Sequence, residues 1–323
     1  MMGLLNDWKG FVRFHFLHAV FESKIIDALE TPIDIESLAA RLSIERMDLL
    51  EAILNLGVSL NEIALKKGKY SLKGKRIKML RGEKGDKFAA WIQAHVYYYN
   101  SAYSHFNDRL HGAPDGNYLE LHGDLIARAS KMLDPFIDLF IARHMIKNKK
   151  TRILEAGCGS GIYLKKAYEV NEELYGIALD YDTAVTKQAK DNIKAWGLQD
   201  SFDVIQGDIF ELGQEHMNSF DLVTMYNMIY YFPVEKRLEL LKKVKTYLDH
   251  NGTLILVSSE QGKKPSAGTA NLDVINRSIK GCYEIPKNGE IEMLLKNAGF
   301  KLLKKESLFP GENIYGYIAT INH

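Results

Sequence analysis

Apolar residues recur at three- and four-residue steps through residues 11–29 (FVRFHFLHAVFESKIIDAL), where Phe14, Leu17, Phe21, Ile25 and Leu29 mark one helical face. Phe11, Phe16 and Val20 widen that face beyond what one core contact needs, and they predict a second apolar surface suited to a subunit partner. Pro32 breaks the run. Residues 33–42 (IDIESLAARL) and 44–54 (IERMDLLEAIL) predict two short helices, the second capped by Ser43 and closed by Gly57. NEIAL, the turn KKGK at residues 66–69, and YSL predict a small hairpin. Residues 71–87 are rich in lysine and arginine and read as a solvated linker.

From Phe88 to Lys150 the pattern is helical and aromatic. Within residues 91–112, His95, Tyr99 and Tyr103 share one helical face, and Tyr98, Ala102 and His105 share another. One face is expected to be core; the other, polar and aromatic, suits a pocket wall because tyrosine and histidine join an apolar body to a hydrogen-bonding tip. A helix over residues 134–146 leads to the basic stretch before Thr151. The period then changes. Apolar runs at 153–156, 173–180, 202–208, 220–228 and 253–259 alternate with helical segments near 162–170, 183–196, 234–249 and 288–298, which predicts an α/β domain with a parallel, doubly wound sheet. Residues 300–309 and 314–321 read as a closing hairpin across a PGE turn. The expected domains are 1–85, 86–150 and 151–323.

The order helix, helix pair, hairpin is a winged-helix arrangement, so DNA binding enters as a hypothesis. The second helix of the pair carries Glu45, Asp48 and Glu51 against Arg46, the wrong balance for phosphates, and the net charge of +1 argues against commitment to a polyanion. No apolar run is long enough to span a bilayer, and the start MMGLLNDWKGF lacks the order of a signal peptide, so a cytoplasmic protein without a membrane partner is expected. Cys158 and Cys282 form no disulfide framework, and with the ten scattered histidines they show no metal-ligand spacing, so no metal is expected.

The chemistry concentrates in residues 152–164, RILEAGCGSGIYL: a strand ending in Glu155, three glycines at alternate positions (Gly157, Gly159, Gly161), then a helix. Glycines permit left-handed backbone and close approach of a ligand, and a helix start offers free N–H groups. With Asp180 ending the next strand and GDIF at 207–210 after the third, this series resembles the nucleoside site of class I S-adenosylmethionine (SAM) dependent methyltransferases. The resemblance implies SAM held by Glu155 and the glycines, its ribose by Asp180 next to Tyr181, its adenine by Asp208 with Ile209 or Phe210 over the ring, and its sulfonium flanked by Tyr226 and Asn227. An electron-rich tyrosine face beside a cation is favourable.

The N-terminal segment resembles, over about its whole length, the dimerisation domain of small-molecule O-methyltransferases with a winged helix, which implies a homodimer. The resemblance implies that His95, Tyr99 and Tyr103 line the substrate wall, with Glu284 also on the substrate side. The family's histidine base, however, falls on Tyr230, its supporting acid on Ser258 with Glu260 two residues on, and a later acid on Glu284. A free phenol has a pKa of about 10, a weak base at neutral pH. Tyr230, Glu260 and His105 are therefore the candidate catalytic groups. The resemblance implies SAM-dependent methyl transfer to a small molecule, with oxygen first among acceptors. C- or N-methylation, a reaction other than methyl transfer, and a winged-helix regulator with SAM as effector are the alternatives.

Overall fold

A computed structural model describes residues 1–145 and 149–322, and the chain divides into two units, Met1–His105 with Tyr118–Met132 and Phe106–Asn117 with Leu133–His323. Ala89 and Ile92, beyond residue 85, share the core of the N-terminal helices.

In the first unit, α1 (Met2–Glu22) starts well before residue 11 and breaks where Lys24 turns left-handed (φ 61°), before α2 (Ile25–Ala28). Leu17, Ile25 and Leu29 are buried as the spacing predicts. Phe16 and Val20, expected on a second surface, are buried in the same core; the apolar residues left exposed lie further back, at Leu4, Leu5, Trp8 and Phe11. Next come α3 (Ile35–Leu42), capped by the Asp34 carboxylate accepting the Ser37 N–H at 2.8 Å, and α4 (Met47–Ser59). Ser43 ends α3 in a left-handed conformation (φ 53°) and does not cap α4. Gly57 lies inside α4 and does not close it: a Cβ there would meet Ile63 at 2.6 Å and Phe16 at 2.7 Å, so its role is close packing.

The hairpin forms from β1 (Ile63–Lys66) and β2 (Lys69–Leu72). The expected linker is instead α5 (Lys75–Met79) and the start of α6 (Gly82–Ala94), because Ile77 and Leu80 bury themselves among the helices. α6 runs into a π-helical turn, His95–Tyr99, and α7 (Asn100–Ser104). Tyr98 and Ala102 mark the buried face. After α8 (Phe106–Leu110), which is counted with the second unit, α9 (Tyr118–Ser130) packs on α6 and is tied to it by Arg128 donating to Asp86 at 3.1 Å.

In the second unit α10 (Asp134–His144) ends before Ile146, where the helix was expected to stop and which lies outside the described residues. The sheet comprises β3 (Thr151–Ala156), β4 (Leu174–Asp180), β5 (Phe202–Gln206), β6 (Phe220–Tyr226), β7 (Leu248–Ser259), β8 (Phe300–Ser307) and β9 (Ile314–Ile321). Its order is β5-β4-β3-β6-β7-β9-β8, parallel through β7 and antiparallel at β9 and β8. Near-continuous apolar strands, Leu254 to Val257 for example, bury both faces. One face packs on α10 with α11 (Ile162–Val170) and α12 (Thr183–Ala195), the other on α13 (Arg237–Tyr247) and, after α14 (Ala267–Asn276), on α15 (Glu290–Asn297). Gly316 in β9 admits the Phe140 ring of α10, which a Cβ would meet at 2.4 Å.

Candidate functional site

β3 and β6 are parallel neighbours although β4 and β5 intervene in the chain, so the order in which strands are added reverses between them and opens a crevice at their carboxyl ends. Glu155 sits there, between Ala178 of β4 and Thr224 of β6. It is 1% exposed, and neither carboxylate oxygen has a hydrogen-bond partner among the described residues. Burial first, and the Asp180 charge second, push its carboxyl well above the usual range. A buried carboxylate without a partner is costly, and that cost favours its neutral form. The buried Tyr226 hydroxyl lies beside the Thr224 hydroxyl without forming a well-aligned hydrogen bond. Tyr163, its ring 4.8 Å from that of Tyr226, donates to Asp134 at 3.0 Å. Neither Tyr163 nor Asp134 was expected in the site; Asp134 reads locally as nothing more than a helix start.

The glycine loop is built as its sequence requires. Gly157 and Gly159 have φ of 69° and 55°; a Cβ on Gly157 would press on Met228 Sδ at 3.0 Å, whereas Gly159 faces open space into which a ligand can come. The Gly157 and Cys158 N–H groups donate to the Leu179 carbonyl, and Asn192 of α12, a further residue missed in the sequence, holds the Ser160 carbonyl at 3.0 Å. Gly161 begins α11 with φ 77°. Cys158 is buried and its thiol is pushed well up by burial, which suits packing and not nucleophilic chemistry.

Asp180 ends β4 with one oxygen accepting the Gly159 N–H at 3.0 Å and the other the Asp182 N–H at 3.1 Å. Each oxygen keeps a lone pair for a diol. Tyr181, 77% exposed, lines an open cleft of about 540 Å³ with Gln206, Asp208 and Glu211. Asp208 accepts the Phe210 N–H at 2.9 Å. Ile209 is turned into the core and its carbonyl accepts the Tyr247 hydroxyl at 2.7 Å, so of the pair expected over the adenine only Phe210 stays partly exposed. Asn227 follows β6 in a left-handed conformation (φ 53°), its N–H on the Val257 carbonyl at 2.8 Å.

Tyr230 lies in a short 3-10 turn, Ile229–Tyr231, directly after that position, and its carbonyl accepts the Tyr283 N–H at 2.8 Å. The other acids expected near it are engaged. Glu284 pairs with Arg277 at 2.8 Å. Glu260 is fully buried, bound to Lys305 at 2.9 Å and to the Tyr317 hydroxyl, and its carboxyl is raised by burial. His95, Tyr99, Tyr103 and His105 belong to the first unit. There the His95 ring stacks on Tyr99 at 4.3 Å and its Nδ1–H donates to the Trp91 carbonyl at 2.8 Å, while burial lowers its pKa. Tyr103 is exposed, and His105 Nδ1 lies 3.0 Å from the Ser101 carbonyl.

A five-strand parallel sheet closed by an antiparallel strand, with a glycine loop after the first strand and acids after the next two, defines the class I methyltransferase fold. Residues 153–252, within the second unit, match the family model described as a methyltransferase domain. Over 75 residues the chain is 36% identical to the tRNA1(Val) (adenine(37)-N6)-methyltransferase of Photorhabdus laumondii, a match that spans 23% of this chain and 31% of that protein. The whole chain is similar in fold to the mitomycin 7-O-methyltransferase MmcR (TM-score 0.82, 15% identity, 99% of this chain and 97% of that one). It is likewise similar to PigF solved with S-adenosylhomocysteine (SAH) (TM-score 0.78, 16% identity, 99% and 98%). Among the described residues no helix is long and apolar enough to cross a membrane, and no cluster of three potential ligands offers a metal site.

Proposed function

We propose that this protein transfers the methyl group of SAM to a small-molecule acceptor, with oxygen as the accepting atom. The observation that carries the reading is the buried, unpartnered Glu155 carboxylate beside a glycine loop and Asp180, which fits a cationic nucleoside. Glu155 suits the ammonium end of SAM, Asp180 the ribose diol, Asp208 and Phe210 the adenine, and the Tyr226 face the sulfonium. Bound SAM supplies an electrophilic methyl group. The chain's own residues then have to bind and orient the acceptor, exclude water and take up the acceptor's proton. Tyr230 stands next to the Asn227 turn and is the group we assign to the acceptor.

Oxygen is favoured by the mitomycin 7-O-methyltransferase likeness over the full chain. A nitrogen acceptor is the second reading, supported by the shorter likeness to an adenine N6-methyltransferase. The regulator reading has less support, since Arg46 of the helix pair is taken up by Asp48 at 2.7 Å. We also infer a homodimer formed through the N-terminal unit as a winged-helix clasp, on the strength of exposed Leu4, Leu5, Trp8 and Phe11 along α1.

The test is calorimetric titration of SAM and SAH into the full chain, then transfer of an isotope-labelled methyl group from SAM into a metabolite extract, read by mass spectrometry. Micromolar binding and a labelled small molecule are expected. If neither nucleoside binds, the reading is wrong; binding without any labelled product favours a reaction other than methyl transfer.

A further inference from the structure

Arg237 opens α13 with its side chain completely buried. A guanidinium is tolerated there only when its donors are taken up. Nη1 donates to Glu290 at 2.9 Å, Nη2 to the Glu284 carbonyl, and Nε to the Phe232 carbonyl at 3.3 Å. Glu290 is tied back in turn, its second oxygen accepting the Lys287 N–H at 2.8 Å. The acceptors lie on two segments, residues 227–236 after β6 and residues 280–290 before and at the start of α15. The same segments meet again where the Tyr283 N–H reaches the Tyr230 carbonyl at 2.8 Å.

A buried ion pair adds little net stability over an apolar pair of similar volume, so what it contributes here is geometry. Both segments lack long regular structure, and the guanidinium joins them through the Phe232 and Glu284 carbonyls at a point separate from the Tyr283–Tyr230 bond. We propose that Arg237, clamped by Glu290, is a positioning residue that fixes Tyr230 and Tyr283 beside the cofactor crevice and thereby orients the methyl acceptor. This rests on the assignment of Tyr230 to the acceptor made above. Misplacement of a reacting group by about 1 Å costs on the order of a hundredfold in rate, so a clamp of this kind acts on turnover more than on nucleoside binding.

The experiment compares the full-length chain with Arg237→Lys, Glu290→Gln and the conservative Glu290→Asp. Amide hydrogen exchange is followed in peptides from 228–233 and 280–286, with SAH titration and methyl transfer to 4-nitrocatechol as probe acceptor. Faster exchange confined to those two peptides is expected in Arg237→Lys and Glu290→Gln, with SAH affinity within about twofold, turnover down about tenfold or more, and partial recovery in Glu290→Asp. Unchanged protection at both peptides overturns the clamp. So does loss of protection throughout β3 to β7, which would make the pair a general support of the fold, and so does local loosening with turnover unchanged. If wild-type protein does not methylate the probe, exchange alone decides. Failure of wild-type protein to bind SAH sinks the SAM reading and leaves the exchange result to judge the clamp.

Discussion

The Gly159 N–H donates to the Asp180 carboxylate at 3.0 Å, so the residue assigned to the ribose also holds the loop over which the nucleoside passes. Two functions meet in one side chain. Asp180→Ala removes the ribose ligand and frees the loop, and a charge-assisted hydrogen bond is worth about 1.5–3 kcal/mol, roughly 10- to 150-fold in affinity. Calorimetry should find SAH binding weakened by at least that much. Asp180→Asn, which still accepts from Gly159, should lose less, and equal affinity in all three proteins would rule out the ribose assignment.

Glu155 predicts a pH effect with a definite sign. Its carboxyl is raised by burial and by Asp180, so the folded state binds a proton that the unfolded chain gives up near the ordinary value of about 4.3. The proton's contribution to stability is full below that value and is lost as pH rises toward the raised one. Glu155→Gln should therefore raise the melting temperature of the ligand-free protein at neutral pH while weakening SAM. Binding of SAM to wild type should release a proton, seen as a calorimetric enthalpy that depends on the buffer; no such dependence would remove Glu155 from the ammonium site.

Tyr230→Phe keeps the ring and removes the hydroxyl. Turnover is expected to fall by tenfold or more, within the span of a lost acid–base or binding contact, with SAH affinity nearly unchanged. Without a histidine at this position, activity need not decline as pH drops through about 6.5. If the variant turns over normally while His95→Ala abolishes activity, the base lies in the first unit.

Trp8 and Phe11 are 58% and 62% exposed on α1. Replacing both by serine should shift the protein from dimer to monomer in sedimentation while leaving SAH binding in the second unit intact. A wild-type chain that already sediments as a monomer at tens of micromolar contradicts the clasp, and a salt-sensitive shift of duplex DNA would instead favour the regulator.

Local chemistry made part of this protein legible in its sequence. Strand period, glycines at alternate positions and acids at strand ends follow from backbone rules that act over a few residues, so residues 153–164, Asp180 and Asp208 were found where β3, β4 and β5 end. What required the tertiary structure was every property that depends on a distant neighbour. Gly57 reads as a helix stop but serves as space for Phe16 and Ile63; the basic stretch around Ile77 reads as solvated but is anchored by burial. Glu260 and Glu155 look alike as acids at strand ends. Lys305 and Tyr317, 45 and 57 residues along the chain, close the first, while none of the described residues hydrogen-bonds the carboxylate of the second. Sequence spacing carries periodicity; burial and pairing belong to the folded neighbourhood, and they decide which carboxylate has its hydrogen bonds met within the fold.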